Sequence, residues 1–315
     1  MRRSELPAEL AGRSFTTRSA DAAGVARNRT RANDLIAVSR GIRIPRDADV
    51  CGAAALRAYT ELDQWSVLTH VAAAHVWGLP LPAAQAGDWR VHVARPRGLA
   101  RPRRANVVGH ELTLLPGEMV EFDGVRVTSP ARTWLDLARM ARLATVEHVA
   151  GLVAAGDRLV CAHGPDFPKP CDPLCGIDDL RRMVHAHAGM RGVRAAREAV
   201  ELVRVGADSA PETFVRLALV RAGLPEPELN CVLRSPAGKP WVWPDAAYRR
   251  WRISLQYDGG HHGGDDQYRQ DLRRAENTRL AGWLEVRIGW EDIQGGRPAV
   301  VRKVRDALRS RGWSP

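Results

Sequence analysis

The sequence predicts mixed α and β structure (α+β or α/β) in more than one domain: an N-terminal winged helix, a mixed α/β region and a C-terminal core of alternating helices and strands. Three observations predict it. The 315 residues exceed what one hydrophobic core usually holds, which sets a prior of two domains of roughly 150 residues each. Residues 5–50 read helix, turn, helix, hairpin, the layout of a winged helix. Residues 207–315 read helix, strand pair, helix, strand, helix. The 45% hydrophobic and 26% charged residues are those of a globular protein and exclude a disordered tail or a fibre. No run approaches the roughly 18 apolar residues of a membrane span. Met1-Arg2-Arg3 is followed by no apolar stretch, so neither a secretory signal nor a membrane partner is expected, and the reading is cytoplasmic.

Charge narrows the partner. The chain has 47 basic against 36 acidic residues, a net +11, and only Lys169, Lys239 and Lys303 among the basic residues are not Arg. Much of that Arg excess is the codon usage of a GC-rich genome. A surplus of this size still favours a polyanion, and nucleic acid is the expected one. Five Cys is an odd number, with Cys161, Cys171 and Cys175 bunched, which does not read as a secreted disulfide framework.

In residues 1–50, Leu10, Phe15, Ala20, Ala23 and Val25 supply apolar positions around a break at Gly24. Arg27-Asn28-Arg29-Thr30-Arg31 is expected to open a second helix. Ile36 to Val38 and Ile42 to Ile44 flank a turn at Gly41. Arg27, Asn28, Arg29 and Arg31 then fall where a recognition helix meets DNA, with Arg40 and Arg43 on the wing.

Residues 51–155 mix both structures. Ala53 to Tyr59 and Val67 to Val76 are Ala-rich helical stretches, Trp89 to Val93 alternates as a strand does, and Asp123-Gly124 marks a hairpin. Arg95 to Arg104 is expected as a basic loop suited to phosphate. Ser129-Pro130 starts another helix through Leu137. The phrases VLTHVAAAHVWGLPLP (67–82) and GVRVTSPART (124–133) resemble the AbiEi family of type IV toxin–antitoxin antitoxins. The similarity spans about residues 15–150 and implies an N-terminal winged helix, DNA binding and transcriptional autoregulation. It raises a cognate toxin as a partner and implies no chemistry.

Residues 156–206 are expected to be an insertion and helical linker. Cys161, His163, Cys171 and Cys175 are four soft donors suitable in type for Zn²⁺. Their spacing is not that of a recognised finger, and Pro165, Pro168, Pro170 and Pro173 read as an inserted loop with incidental thiols, so zinc is not expected.

Residues 207–315 carry the chemistry. Asp208-Ser209-Ala210-Pro211-Glu212 is a helix start, with Glu212 at the end nearest the coming strands. Trp241 to Asp245 and Arg252 to Asp258 are expected to pair, which sets Asp245 beside Gln256. Gly259-Gly260-His261-His262-Gly263-Gly264 is a backbone-accessible loop, 265–281 a polar helix, 284–288 a strand and 298–309 a terminal helix. The residues Pro211-Glu212-Thr213, Trp243-Pro244-Asp245, Gln256-Tyr257-Asp258-Gly259, His261-His262, Tyr268 to Arg274 and Ala281-Gly282-Trp283 resemble the Vsr-like very-short-patch-repair endonucleases of the PD-(D/E)xK superfamily, over about residues 207–311. That resemblance implies a restriction-endonuclease-like αβββαβ core and Mg²⁺- or Mn²⁺-dependent phosphodiester hydrolysis, with no small-molecule cofactor. A hard cation takes oxygen donors, so the expected ligands are Asp245, Gln256 and Glu212, with His261 or His262 exchanging protons. Arg269, Arg273 and Arg274, with Arg249 and Arg250, would hold the backbone of the nucleic acid.

The chain departs from the family where relatives read Glu-Tyr-Asp-Gly. Gln256 is a neutral ligand in place of a charged one, and the position two residues on is Asp258 rather than Lys. Asp258 is either the missing carboxylate or a turn residue before Gly259. Two functions follow from this: a DNA endonuclease or nickase, and a catalytically inactive antitoxin-like DNA-binding regulator.

Overall fold

The computed structural model describes residues 4–47, 50–140, 145–259, 265–294 and 298–315. The chain divides into two compact units, Met1–Ala144 with Asp179–Ala196, and Thr145–Asp178 with Arg197–Pro315. The expected linker at 156–206 is thus shared between them. Among the described residues no helix is long and apolar enough to cross a membrane.

In the first unit, helices Ala8–Ala11 and Thr17–Ala22 and strands Phe15–Thr16, Leu35–Ser39 and Ile42–Pro45 form a small layer over Leu10, Phe15, Ala20, Val25 and Leu35. The three strands pair antiparallel with Ile42–Pro45 central. Thr16 caps its helix through reciprocal bonds with Ser19, the arrangement of a capping box. The expected second helix is only a 3₁₀ turn, Arg29–Arg31. Ala32 takes the extended conformation (φ −68°, ψ 151°) and ends the segment after one turn, and the Arg29 guanidinium is drawn inward onto Asp34 (2.9 and 3.0 Å) and the Ser4 carbonyl (2.7 Å).

A five-stranded mixed sheet follows, ordered Val107–Leu112, Val91–Pro96, Val67–Leu68, Val125–Thr128 and Met119–Phe122. Asp123 (φ 47°) and Gly124 (φ 72°) both take the left-handed region, as a type I′ hairpin turn requires. Helices Gly52–Glu61, His70–Val76 and Pro130–Ala138 accompany the sheet. The expected helix from Val67 begins three residues later, because Val67 and Leu68 are taken by the sheet. Buried Arg132 binds Asp136 Oδ1 (3.0 Å), the Thr113 carbonyl (3.1 Å) and Glu118. Glu118 also accepts from His187 Nε2 (2.5 Å), which ties residues 179–196 to this unit.

In the second unit, helix Val146–Val160 packs on helix Ala210–Arg221. Asp157, buried between them, accepts from Thr213 Oγ1 (2.8 Å), Arg216 Nη2 (2.8 Å) and the Arg204 amide (2.7 Å). That network is why Val146–Val160 belongs with the C-terminal region rather than with residues 51–155. The central sheet has three strands, with Ile253–Asp258 antiparallel to Ala246–Tyr248 and parallel to Leu284–Gly289. Trp241-Val242 does not join it. Strand Pro240–Val242 pairs instead with Leu233–Arg234, since alternation identifies a strand but not its partner. Val215, Leu219, Tyr248, Ile253, Leu255, Ile288, Val300, Val304 and Leu308 form the core between this sheet and helices Ala210–Arg221 and Pro298–Ser310. Each fully buried side chain of this kind contributes about 1.5–3 kcal/mol.

Candidate functional site

The helix start at Ser209 and the strand Ala246–Tyr248 bring two carboxylates to one cavity of the second unit. This cavity, about 500 Å³, is lined by Glu212, Asp245, Asp208, Arg158, Lys169 and Trp243 among others. Pairing of Ala246 with Leu255 sets Asp245 beside Gln256, as the hairpin reading expected. Gln256 Nε2 donates to Asp245 Oδ1 (2.8 Å) and the Tyr257 amide to Oδ2 (2.6 Å). Glu212 accepts from Ser209 Oγ (2.6 Å) and the Asp208 amide (2.9 Å).

Both carboxyls are hard to ionise. Burial pushes Glu212 up to about 7, with the charge of Asp245 as the next cause. Burial likewise pushes Asp245 up to about 6, against the Tyr257 amide and the Arg274 guanidinium, which favour its ionised form. Two carboxyls raised by burial in one cavity, with the charge of Asp245 adding to the shift of Glu212 and that of Asp208 to the shift of Asp245, are short of positive charge. Each carboxylate has about four lone-pair sites, and the bonds above leave oxygen donors on both.

Other expected site residues fall elsewhere. Asp258 is exposed at the end of its strand and does not line the cavity. His261 and His262 lie outside the described residues. Arg269 and Arg273 are exposed on helix Asp265–Leu280, while Arg274 Nη1 binds Asp271 Oδ1 (2.8 Å). Arg249 pairs with Glu228 (3.0 Å), and Arg250 lies over the Trp251 ring at 5.2 Å.

The Cys/His segment forms part of the same wall. The ligand atoms of Cys161, His163 and Cys171 lie within 4.8 Å of one another; Cys175 is not in that group. Asn230 donates to the Ala162 carbonyl (2.9 Å) and so turns its oxygen to His163 Nδ1 (2.6 Å). His163 Nε2 is left facing Asp208 Oδ1 (2.8 Å) and Cys161 Sγ (3.6 Å). Burial, then Asp208, pushes the Cys161 thiol up to about 12.

Sequence reasoning missed Arg158, Lys169 and Asn230, and took Asp208 only as a helix cap. These residues are scattered from 158 to 230 with no fixed spacing, so no local pattern marks them. Trp243 is half-buried in the cavity wall and donates from Nε1 to the Asp166 carbonyl (2.8 Å).

In the first unit, Arg27, Asn28, Arg31 and Arg40 are exposed. Arg29 is not available to a ligand, as its bonds above show. Arg43 is spent on the Thr30 and Ile42 carbonyls (2.7 and 2.9 Å). The basic segment is strand to Pro96 and loop beyond it, with Arg97 82% and Arg101 65% exposed near Glu111 (both 3.7 Å). Arg97, Arg101, Arg132, Arg139 and Arg191 line a cavity of about 430 Å³.

No family model matches the chain, and no solved structure does. Two uncharacterized proteins of Mycobacterium tuberculosis, one from strain CDC 1551 / Oshkosh and one from strain ATCC 25618 / H37Rv, are similar to it. Each is 28% identical over 197 residues, covering 60% of this chain and 65% of the relative. The match thus spans a little under two thirds of those proteins' length.

Proposed function

We propose that the second unit is a divalent-cation-dependent DNA endonuclease of the restriction-endonuclease-like kind and that the first unit binds DNA. The observation that carries this is the half-buried pair Asp245 and Glu212 in a cavity also lined by Arg158 and Lys169. The donor set fits Mg²⁺ or Mn²⁺: two carboxylates supply hard oxygens, and their raised pKa values mark a charge deficit that a cation offsets. Asp245 and Glu212 would hold the ion, with Gln256 as a neutral third oxygen once its amide turns. When bound, the ion polarises a phosphoryl group and lowers the pKa of a water.

The protein's own groups do the rest. Gln256 and the Tyr257 amide fix the Asp245 carboxylate, while Ser209 and the Asp208 amide fix that of Glu212. Arg158 and Lys169 offer positive charge to a phosphodiester backbone, and Trp243 gives a base or sugar an apolar wall. The helix and strand order of this unit supports the same reading. In the first unit, the three-stranded layer with exposed Arg27, Arg31 and Arg40 supports a winged-helix-like DNA surface.

A second reading, an inactive antitoxin-like regulator, is favoured by Gln256, which removes one charge from a site with few. Cleavage of supercoiled plasmid in Mg²⁺ or Mn²⁺ separates the two. Nicking by the wild type that Asp245→Ala abolishes supports the enzyme. DNA binding without cleavage by either protein refutes it in favour of the regulator.

A further inference from the structure

The first unit contains a second convergence of ligating groups, remote in sequence from the carboxylate cavity. His92 lies on strand Val91–Pro96 and His110 on the parallel strand Val107–Leu112. Register pairs His92 with Val108 and Ala94 with His110, so both imidazoles rise from one face of the sheet. His70 opens helix His70–Val76 in the left-handed region (φ 48°), a conformation uncommon for a residue other than Gly. That turn brings the buried His70 ring to 4.0 Å from His110 and 5.8 Å from His92. The ligand nitrogens of all three lie within 4.8 Å of one another.

Outer partners orient the rings. Asp88 Oδ2 sits 3.1 Å from His92 Nε2. Arg90, which binds both oxygens of Asp88, holds that carboxyl well below its ordinary range. His92 Nε2 therefore carries the proton, and its Nδ1 lone pair turns inward to His110 Nε2 at 3.1 Å. Thr69 Oγ1 donates to buried Asp136 Oδ2 (2.9 Å). Its one proton is thereby used, so it accepts from His70 Nδ1 (3.0 Å) and leaves the His70 Nε2 lone pair available. A carboxylate or hydroxyl on the far nitrogen is the usual support of a metal-bound imidazole.

We propose that His70, His92 and His110 form a binding site for a zinc-class divalent transition metal, with a fourth position left to solvent. The 3.1 Å between His92 Nδ1 and His110 Nε2 is close to the edge of a tetrahedron with arms of about 2.0–2.1 Å. Imidazole suits Zn²⁺ and its neighbours and not Mg²⁺. Burial holds all three rings below their ordinary pKa, His110 at about 4, so they are neutral at pH 7, and metal binding needs only the proton that His110 Nε2 donates to His92 Nδ1 to pass to His110 Nδ1. Half-buried His110 is the ring that turns to complete the set, since it now stacks on His70 at 13°.

The test uses the full chain carrying Cys161→Ser and Cys171→Ser, so that the thiol cluster of the second unit cannot answer. After chelation and reloading with Zn²⁺, one equivalent should survive gel filtration. X-ray absorption should show a nitrogen and oxygen shell at about 2.0–2.1 Å with imidazole outer scattering and no sulfur. Asp88→Asn should weaken zinc binding by roughly 10–100-fold, and His110→Gln should abolish stoichiometric retention with the circular dichroism unchanged. No retained zinc in the Cys variant, a shell without imidazole scattering, or undiminished retention in His110→Gln would each overturn the proposal.

Discussion

Replacing Asp245 by Asn should stabilise the metal-free protein above pH 7 and leave it nearly unchanged at pH 4. The carboxyl is raised in the fold, so the folded state binds its proton more tightly than the unfolded chain does. The stability this contributes is present below the ordinary Asp range and is lost as pH rises through the folded value. Displacement from 3.8 to about 6, at about 1.4 kcal/mol per tenfold change in proton affinity, puts the cost of the ionised carboxylate at about 3 kcal/mol. Asn removes that cost and keeps the geometry. Its oxygen accepts from the Tyr257 amide, and the Gln256 amide turns to face its nitrogen. Glu212 gains as well, because the charge of Asp245 is the second cause of its raised pKa. Urea unfolding followed by Trp fluorescence in EDTA, at pH 4.5 and pH 8, reads the effect. A difference between variant and wild type that is the same at both pH values would refute the reasoning.

Other outcomes follow from the same geometry. Gln256→Glu should raise Mg²⁺ affinity on the order of tenfold, through added ligand charge, and should lower stability in EDTA because the bond to Asp245 becomes a repulsion; calorimetric titration and urea unfolding check the two halves. Asp157→Ala removes the shared acceptor of Thr213, the Arg204 amide and Arg216, leaves Arg216 only Glu226 (3.0 Å) to balance its charge, and should cost about 1.5–3 kcal/mol in urea unfolding of the second unit. Arg27→Ala and Arg31→Ala should weaken DNA binding alike for all sequences and lower the salt dependence by about one phosphate contact each, read by fluorescence anisotropy across a salt series. Arg29→Ala should instead cost about 1.5–3 kcal/mol of stability for its charged hydrogen bonds.

What was legible in the sequence was local. Asp123-Gly124 gave its hairpin because a type I′ turn needs two positive φ angles, and counting along one hairpin set Asp245 beside Gln256. What was not legible was tertiary. Arg27 to Arg31 has no mark that separates an exposed recognition helix from a 3₁₀ turn whose Arg29 is captured by Asp34. Trp241-Val242 alternates as a strand does, yet its partner, Leu233–Arg234, is chosen by packing around Cys231, Val242 and Ala247. The cavity wall is assembled from residues 158 to 245, and the three His are joined only by register and by the φ of His70. No spacing rule reaches either set. The pair Glu212 and Asp245 was named from residue type and position, but its shared charge deficit is a product of burial.

Calorimetric titration with Mg²⁺ at pH 8, on the wild type beside Asp245→Asn and Glu212→Gln, decides whether this pair of carboxylates holds a cation. Mg²⁺ is a hard cation that the imidazole and thiol clusters do not take, so it reports the carboxylate cavity alone. One site is expected in the wild type, weakening as pH falls below 7 and the pair takes up protons, and lost in both variants. An unchanged isotherm in either variant, or no binding by the wild type at pH 8, would contradict it.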